Sequence, residues 1–132
     1  MARSASSFAL FVLCTAGLAG CKQSFSLEEQ RTVTLTNTLT KIIDAPSSEQ
    51  RIRVHVLAAD APVHVYVFLE KDVNNDTDEL VERGEKVPGQ LASSIKTKEA
   101  TLEVTIPAKQ AYRVWITPFK HPTPVTLKIN SI

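Results

Sequence analysis

This sequence predicts an all-β fold, an antiparallel β-sandwich with one short crossing helix. Three observations predict it. Past residue 30, apolar and polar residues alternate with a period of two; the alternating stretches are rich in Val, Ile and Thr; and Pro, Asn, Asp and Gly fall between them. A period of two marks a strand with one face on a core, because successive side chains leave a strand on opposite sides.

The first twenty residues read differently. Met1-Ala2-Arg3 carries one positive charge, and Phe8–Leu18 is almost wholly apolar. A helix needs roughly 20 residues to span a bilayer. A charged start, a shorter apolar run and small residues after it therefore predict a secretory signal peptide, residues 1–20. Leu18-Ala19-Gly20-Cys21 resembles the lipobox of bacterial lipoproteins at all four positions. The resemblance implies diacylglyceryl transfer to the Cys21 thiol, cleavage between Gly20 and Cys21, and an anchor of two or three acyl chains (palmitate among them). One chain binds a membrane marginally and two bind it stably. The resemblance also implies a cell-envelope location. With Lys22 rather than Asp after the anchor, the expectation is the outer membrane facing the periplasm of a Gram-negative cell. Cys14 falls inside the removed peptide, so the mature chain is expected to lack both a free thiol and a disulfide, which excludes cysteine-based metal or redox chemistry.

About 110 residues then remain, enough for one core. Residues 21–30 are polar enough for a tether, and 31–132 form the domain. The whole chain has 15 Lys and Arg against 14 Asp and Glu, and loss of Arg3 leaves 14 against 14. That balance offers no basic face to a nucleic acid.

The strands follow in order. "RTVTLTNTLT" sets Val33 and Leu35 against Thr32, Thr34 and Thr36, and "RIRVHVL" sets Ile52, Val54 and Val56 against Arg51, Arg53 and His55. "VHVYVFLE" turns Val63, Val65, Val67 and Leu69 inward, and "TLEVTI", "YRVWI" and "VTLKI" repeat the pattern. Between the third and the fourth of these runs lies "DTDELVERG". Asp76 is the expected N-cap, Glu79 stands at capping-box spacing, and Gly84 is the expected stop.

From "APVHVYVFLE" through "LASS" to "TLEVTIPAKQAYRVWITP" and "PVTLKINSI", residues 51–132 resemble the bacterial pre-peptidase C-terminal domain. That family shows an alternating strand, a small-residue turn, a Tyr-led strand and a closing strand. The resemblance implies a jelly-roll sandwich that accompanies secreted proteins and in some members binds calcium, collagen or polysaccharide. The chain departs from the family at Lys109-Gln110, where a Gly usually precedes the Tyr-led strand, and in its closing strand, which has no Tyr.

Three groups of residues are candidate sites. Asp72, Asn74, Asp76 and Asp78 recur at alternate positions, as the first oxygen ligands of a calcium loop do, although Thr77 and Arg83 replace the expected Gly and Glu. The alternative is a solvated acidic crossing loop. If Ala58–Ala61 closes a four-residue hairpin, His55 opposes His64, a pair suited to a transition metal or a pH response. The same outer face would then carry Arg53 against Tyr66, with Phe68 beyond. Trp115 and Arg113 lie on the non-core side of their own strand. Aromatics interleaved with arginine suit a protein or glycan contact; the alternative is that the crossing helix covers them. Catalysis has no support. Ser93 and Lys96 have Ser-x-x-Lys spacing, but a strand puts them on opposite faces, and no nucleophile elbow, phosphate loop or HExxH occurs. The expected function is thus a lipid-anchored, non-enzymatic envelope module that binds a protein or glycan, with no obligatory cofactor. A calcium-stabilised module or a purely structural lipoprotein stands as the alternative.

Overall fold

The computed structural model describes residues 24–132; the expected signal peptide, Gly20, Cys21 and residues 22–23 lie outside the described residues. The described residues form eight strands: β1 (Ser26–Val33), β2 (Leu39–Ile43), β3 (Gln50–Ala58), β4 (Val63–Leu69), β5 (Gln90–Thr97), β6 (Glu99–Ile106), β7 (Tyr112–Pro118) and β8 (Thr123–Ser131). They build two four-stranded sheets, ordered β1-β8-β3-β6 and β2-β7-β4-β5, with every pairing antiparallel. This is a jelly roll. Six of the seven connections carry the chain from one sheet to the other, and only β4 to β5 stays within one.

The inner faces meet as the alternation expects. Ile52, Val54 and Val56 of β3, Val63, Val65 and Val67 of β4, Val114 and Ile116 of β7, and Leu127 and Ile129 of β8 are wholly buried in one cluster. Fully burying an aliphatic side chain of this size contributes about 1.5–3 kcal/mol. Tyr112 enters the same core from β7, and its hydroxyl has no partner there.

Two boundaries differ from expectation. β1 starts at Ser26, inside the stretch expected as tether, because Leu27 packs on the core and β8 supplies a pairing edge from Asn130 back to Thr123. The "RTVTLTNTLT" run is not one strand. β1 ends at Val33, and Thr34 and Asn37 exchange backbone hydrogen bonds at 3.0 and 3.2 Å in a turn that leaves Leu35 exposed. The chain then enters the other sheet as β2. Lys41 of β2 reaches back to Glu29 of β1 at 3.2 Å, an ion pair spanning the open edge between the sheets.

The β4–β5 connection is the exception in connectivity and forms a third layer. A 3-10 turn (Glu70–Asp72) leads to helix α1 (Thr77–Arg83). Seven residues make a helix too short to stand alone, and tertiary contact holds it: Val81 and Val87 are buried against Tyr66, Phe68 and Trp115 on the outer face of the β2-β7-β4-β5 sheet. The expected Asp76 cap is not formed. Asp76 is already helical in φ and ψ, and its side chain caps nothing. Asn74 serves instead: its Oδ1 accepts from the Asp76 N–H at 2.9 Å, while its own N–H donates to Thr77 Oγ1 at 3.0 Å. An Asx side chain bonding its backbone two residues on is a turn former.

Gly84 ends the helix as expected, with φ +68°. Its N–H donates to the Val81 carbonyl at 3.1 Å and that of Glu85 to Leu80 at 2.9 Å, the paired bonds of a Schellman motif. A Cβ on Gly84 would stand 2.7 Å from the His64 ring. Two penalties therefore fall on one position, left-handed backbone and collision with a buried ring. Gly84→Ala is expected to lower the unfolding free energy by roughly 1–3 kcal/mol in urea titration, while exposed Glu82→Ala stays within about 0.5 kcal/mol.

Candidate functional site

The expected histidine pair does not exist. β3 pairs with β6 and β8, β4 pairs with β5 and β7, and residues 59–62 carry the chain between sheets instead of closing a hairpin. The backbone bonds of this corner go elsewhere: Ala59 N–H to the Pro124 carbonyl at 2.9 Å, and Asp60 and Ala61 N–H to the buried Thr123 Oγ1 at 2.9 and 3.2 Å. Arg53 and His55 thus face outward on one sheet, and His64, Tyr66 and Phe68 face outward on the other. The proposed single face is split between opposite sides of the molecule.

On the β2-β7-β4-β5 side that face is a second core. Tyr66 and Phe68 have 0% exposure and Trp115 has 8%. Phe68 stacks on Tyr66 at 5.7 Å and meets Trp115 edge-on at 6.4 Å. The Tyr66 hydroxyl donates to the Glu85 carbonyl at 2.8 Å, tying the strand to the end of the helix. Burial, with the Glu85 charge behind it, pushes that hydroxyl up to about 12. Arg113 lies over Trp115 at 5.4 Å and grips Glu70 through both of its carboxylate oxygens. These aromatics are packing, as the covering-helix alternative has it.

His64 is buried among them. Its Nδ1 accepts the Lys96 N–H at 3.1 Å, Gly84 closes over the ring, and Phe119 meets it edge-on at 5.4 Å. Lys96 takes φ +54° at a register shift in β5, which turns its N–H toward the ring. Desolvation first, then the Lys96 charge, holds the imidazole below its usual pKa. An acceptor Nδ1 requires the neutral tautomer, so burial and geometry agree.

The acidic stretch does not converge. Asp72 belongs to the 3-10 turn, Asn74 caps the chain's entry to α1, and Asp76 and Asp78 start the helix. Among the described residues, no group of three His, Cys, Asp or Glu side chains is placed to hold a metal ion. His121 is exposed in the β7–β8 turn. Ser93 Oγ accepts from Gln90 Nε2 at 2.7 Å, so its oxygen is already engaged.

The open sheet face is the outer one of β1-β8-β3-β6. Cross-strand rows place Glu28 beside Lys128, Lys128 beside His55, and His55 beside Thr101; the next row is Ser26, Asn130, Arg53 and Glu103. Glu103 is gripped by two arginines, Arg53 at 2.8 and 2.9 Å and Arg51 at 3.3 Å, and His55 Nε2 bonds Glu99 at 2.9 Å. Three cations and three carboxylates interleave here with Ser, Thr and Asn. The result is a nearly neutral surface dense in hydrogen-bonding groups. Of the expected binding residues, Arg53 and His55 are on it. Arg51, Glu103 and Lys128 lie on it too, outside the expected set, although the polar phase of their alternating strands marks them as outward.

Phe68→Ala is expected to cost about 3–5 kcal/mol, as core aromatics do. Tyr66→Phe, which strips one partner from the Glu85 carbonyl, should cost roughly 1 kcal/mol by the same denaturant titration. His64 gives a pH dependence of definite sign. Its folded pKa lies below its unfolded value, so the unfolded chain binds the proton first, and stability present at neutral pH is lost as pH falls below about 6.5. The slope of unfolding free energy against pH in that window, at most about 1.4 kcal/mol per pH unit, should flatten in His64→Asn.

No protein-family model matches the chain, and no curated protein matches it in sequence. Solved structures do match in fold. The pre-peptidase C-terminal domain of a collagenase from Bacillus anthracis superposes with a TM-score of 0.58 at 10% identity, covering 79% of this chain and 88% of its own. The Yersinia pseudotuberculosis-derived mitogen gives 0.54 at 8% identity over 81% and 86%. PliG from Aeromonas hydrophila, a periplasmic inhibitor of g-type lysozyme, gives 0.51 at 12% identity over 88% and 92%. The chain is an antiparallel β-sandwich whose fold is similar to that of a pre-peptidase C-terminal domain.

Proposed function

We propose that this chain is a lipid-anchored, non-enzymatic module of the bacterial cell envelope that binds another protein or a glycan. One observation carries the binding surface. Among the described residues, two of the four sheet faces meet in the main core and the centre of a third lies under α1, which leaves the outer face of β1-β8-β3-β6 as the uncovered one. Arg51, Arg53, His55 and Lys128 supply its donors, and Glu28, Glu99 and Glu103 its acceptors. The Arg51–Glu103–Arg53 cluster sets two guanidinium groups about one carboxylate on this face. Its mixed charge favours selection of one arrangement of partner charges over general attraction to a polyanion. The lipobox-like Leu18-Ala19-Gly20-Cys21 supports anchoring at the membrane surface, which raises the local concentration of the module there.

The test is site-specific photo-crosslinking of the full-length protein in intact cells, alongside co-sedimentation with purified cell-wall sacculi. A photoreactive residue at His55 or Thr101 should give a discrete adduct, or Arg53→Glu with Lys128→Glu should abolish sedimentation with sacculi. A photoreactive residue at Glu82, on the helix side, should give no adduct. Adducts from Glu82 alone would remove the open sheet as the binding face. Equal sedimentation of the charge-reversed and native proteins, with no adduct from either sheet position, would leave the structural-lipoprotein reading in its place.

A further inference from the structure

Five large apolar side chains are markedly exposed among the described residues: Leu35, Ile42, Leu57, Leu91 and Ile132. Two of them, Ile42 at 53% and Ile132 at 47%, flank the point where the described chain begins. Ser24 lines a hollow of about 430 Å³ that Ile42 walls together with Phe25, Leu27, Ile43 and Pro46. It also lines a neighbouring hollow of about 400 Å³ that Ile132 walls. The backbone fixes this arrangement. Ser131 N–H donates to the Phe25 carbonyl at 2.9 Å and Ile132 N–H to that of Arg51 at 3.0 Å, so Phe25 and the residues 131–132 lie side by side at one end of the sandwich.

Two residues, Lys22 and Gln23, separate Ser24 from Cys21, so the three chain steps between them reach at most roughly 10 Å. With Cys21 acylated, this end of the sandwich cannot stand away from the bilayer. We propose that it rests on the lipid surface, with Ile42 and Ile132 entering the boundary between headgroups and acyl chains; the proposal rests on the lipid-anchor reading above. The charges around the hollows are mixed, with Asp44 and Glu49 against Arg51, so the contact is apolar in origin and does not require anionic lipid. It also holds the open β1-β8-β3-β6 face upright along the bilayer normal, because β1 starts at the seated end and runs away from it.

The test uses the full-length acylated protein in phosphatidylcholine nanodiscs. Single Ile42→Cys, Ile132→Cys, Leu35→Cys and Leu57→Cys variants carry an environment-sensitive fluorophore, and intrinsic Trp115 emission checks the fold. Leu35 follows the far end of β1, roughly 25 Å from Ser26. Spin-labelled lipid should quench the probes at 42 and 132 at least two-fold more than those at 35 and 57. Uniform quenching, with mass spectrometry showing acylated Cys21, overturns the seating and leaves the anchor intact. An unacylated Cys21 overturns both. Protection of probes 42 and 132 that depends on protein concentration and not on spin-labelled lipid overturns the seating in favour of a second copy on this end.

Discussion

Strand β4 packs Val63, Val65 and Val67 against the opposing sheet and His64, Tyr66 and Phe68 against the crossing segment, and the rest of the architecture depends on this double burial. A strand of an antiparallel sandwich ordinarily keeps one wet face. Here the seven residues from Val63 to Leu69 are all buried, so the β4–β5 connection has to supply a lid. That requirement explains why this connection alone is long and structured, why it contains the helix, and why Val81 and Val87 turn inward from otherwise polar surroundings.

The lid brings polar groups into low-dielectric surroundings, and each is answered. The Tyr66 hydroxyl meets the Glu85 carbonyl, His64 Nδ1 meets the Lys96 N–H, and the Arg113 guanidinium spans from Glu70 to the Trp115 ring. An unmade hydrogen bond in such a place costs more than a made one contributes, so the backbone bends to make them. Lys96 adopts a left-handed conformation that favours glycine, and Lys109 does the same at φ +63°. The Lys109 N–H donates to the Pro46 carbonyl at 2.8 Å, which ties the loop before the Tyr-led strand to the loop before β3.

Covering one sheet leaves the outer face of the other exposed. Its polar rows contain no catalytic constellation, and their ion pairs are too solvated to add much stability; exposed pairs of this kind contribute about 0–1 kcal/mol. Recognition is the role proposed for them. In the proposed seating, one short edge approaches lipid and the long face of β1-β8-β3-β6 stands clear of it.

The sequence by itself determined which residues point inward. Ile52, Val54 and Val56, and again Leu127 and Ile129, fall in the core as the period of two requires, and the helix stops at Gly84. A side chain's face is a local property of the strand, so it is legible locally. Partnership is not local, and only the tertiary structure decided it. Because the jelly roll sends consecutive strands to opposite sheets, β3 and β4 are neighbours in sequence and not in pairing, so His55 and His64 never meet. Nor does alternation distinguish an outward face that is wet from one that a later segment covers. Arg53 and Tyr66 both occupy outward positions, yet Tyr66 is fully buried, because Val81 and Val87, more than a dozen residues further along the chain, fold back over it.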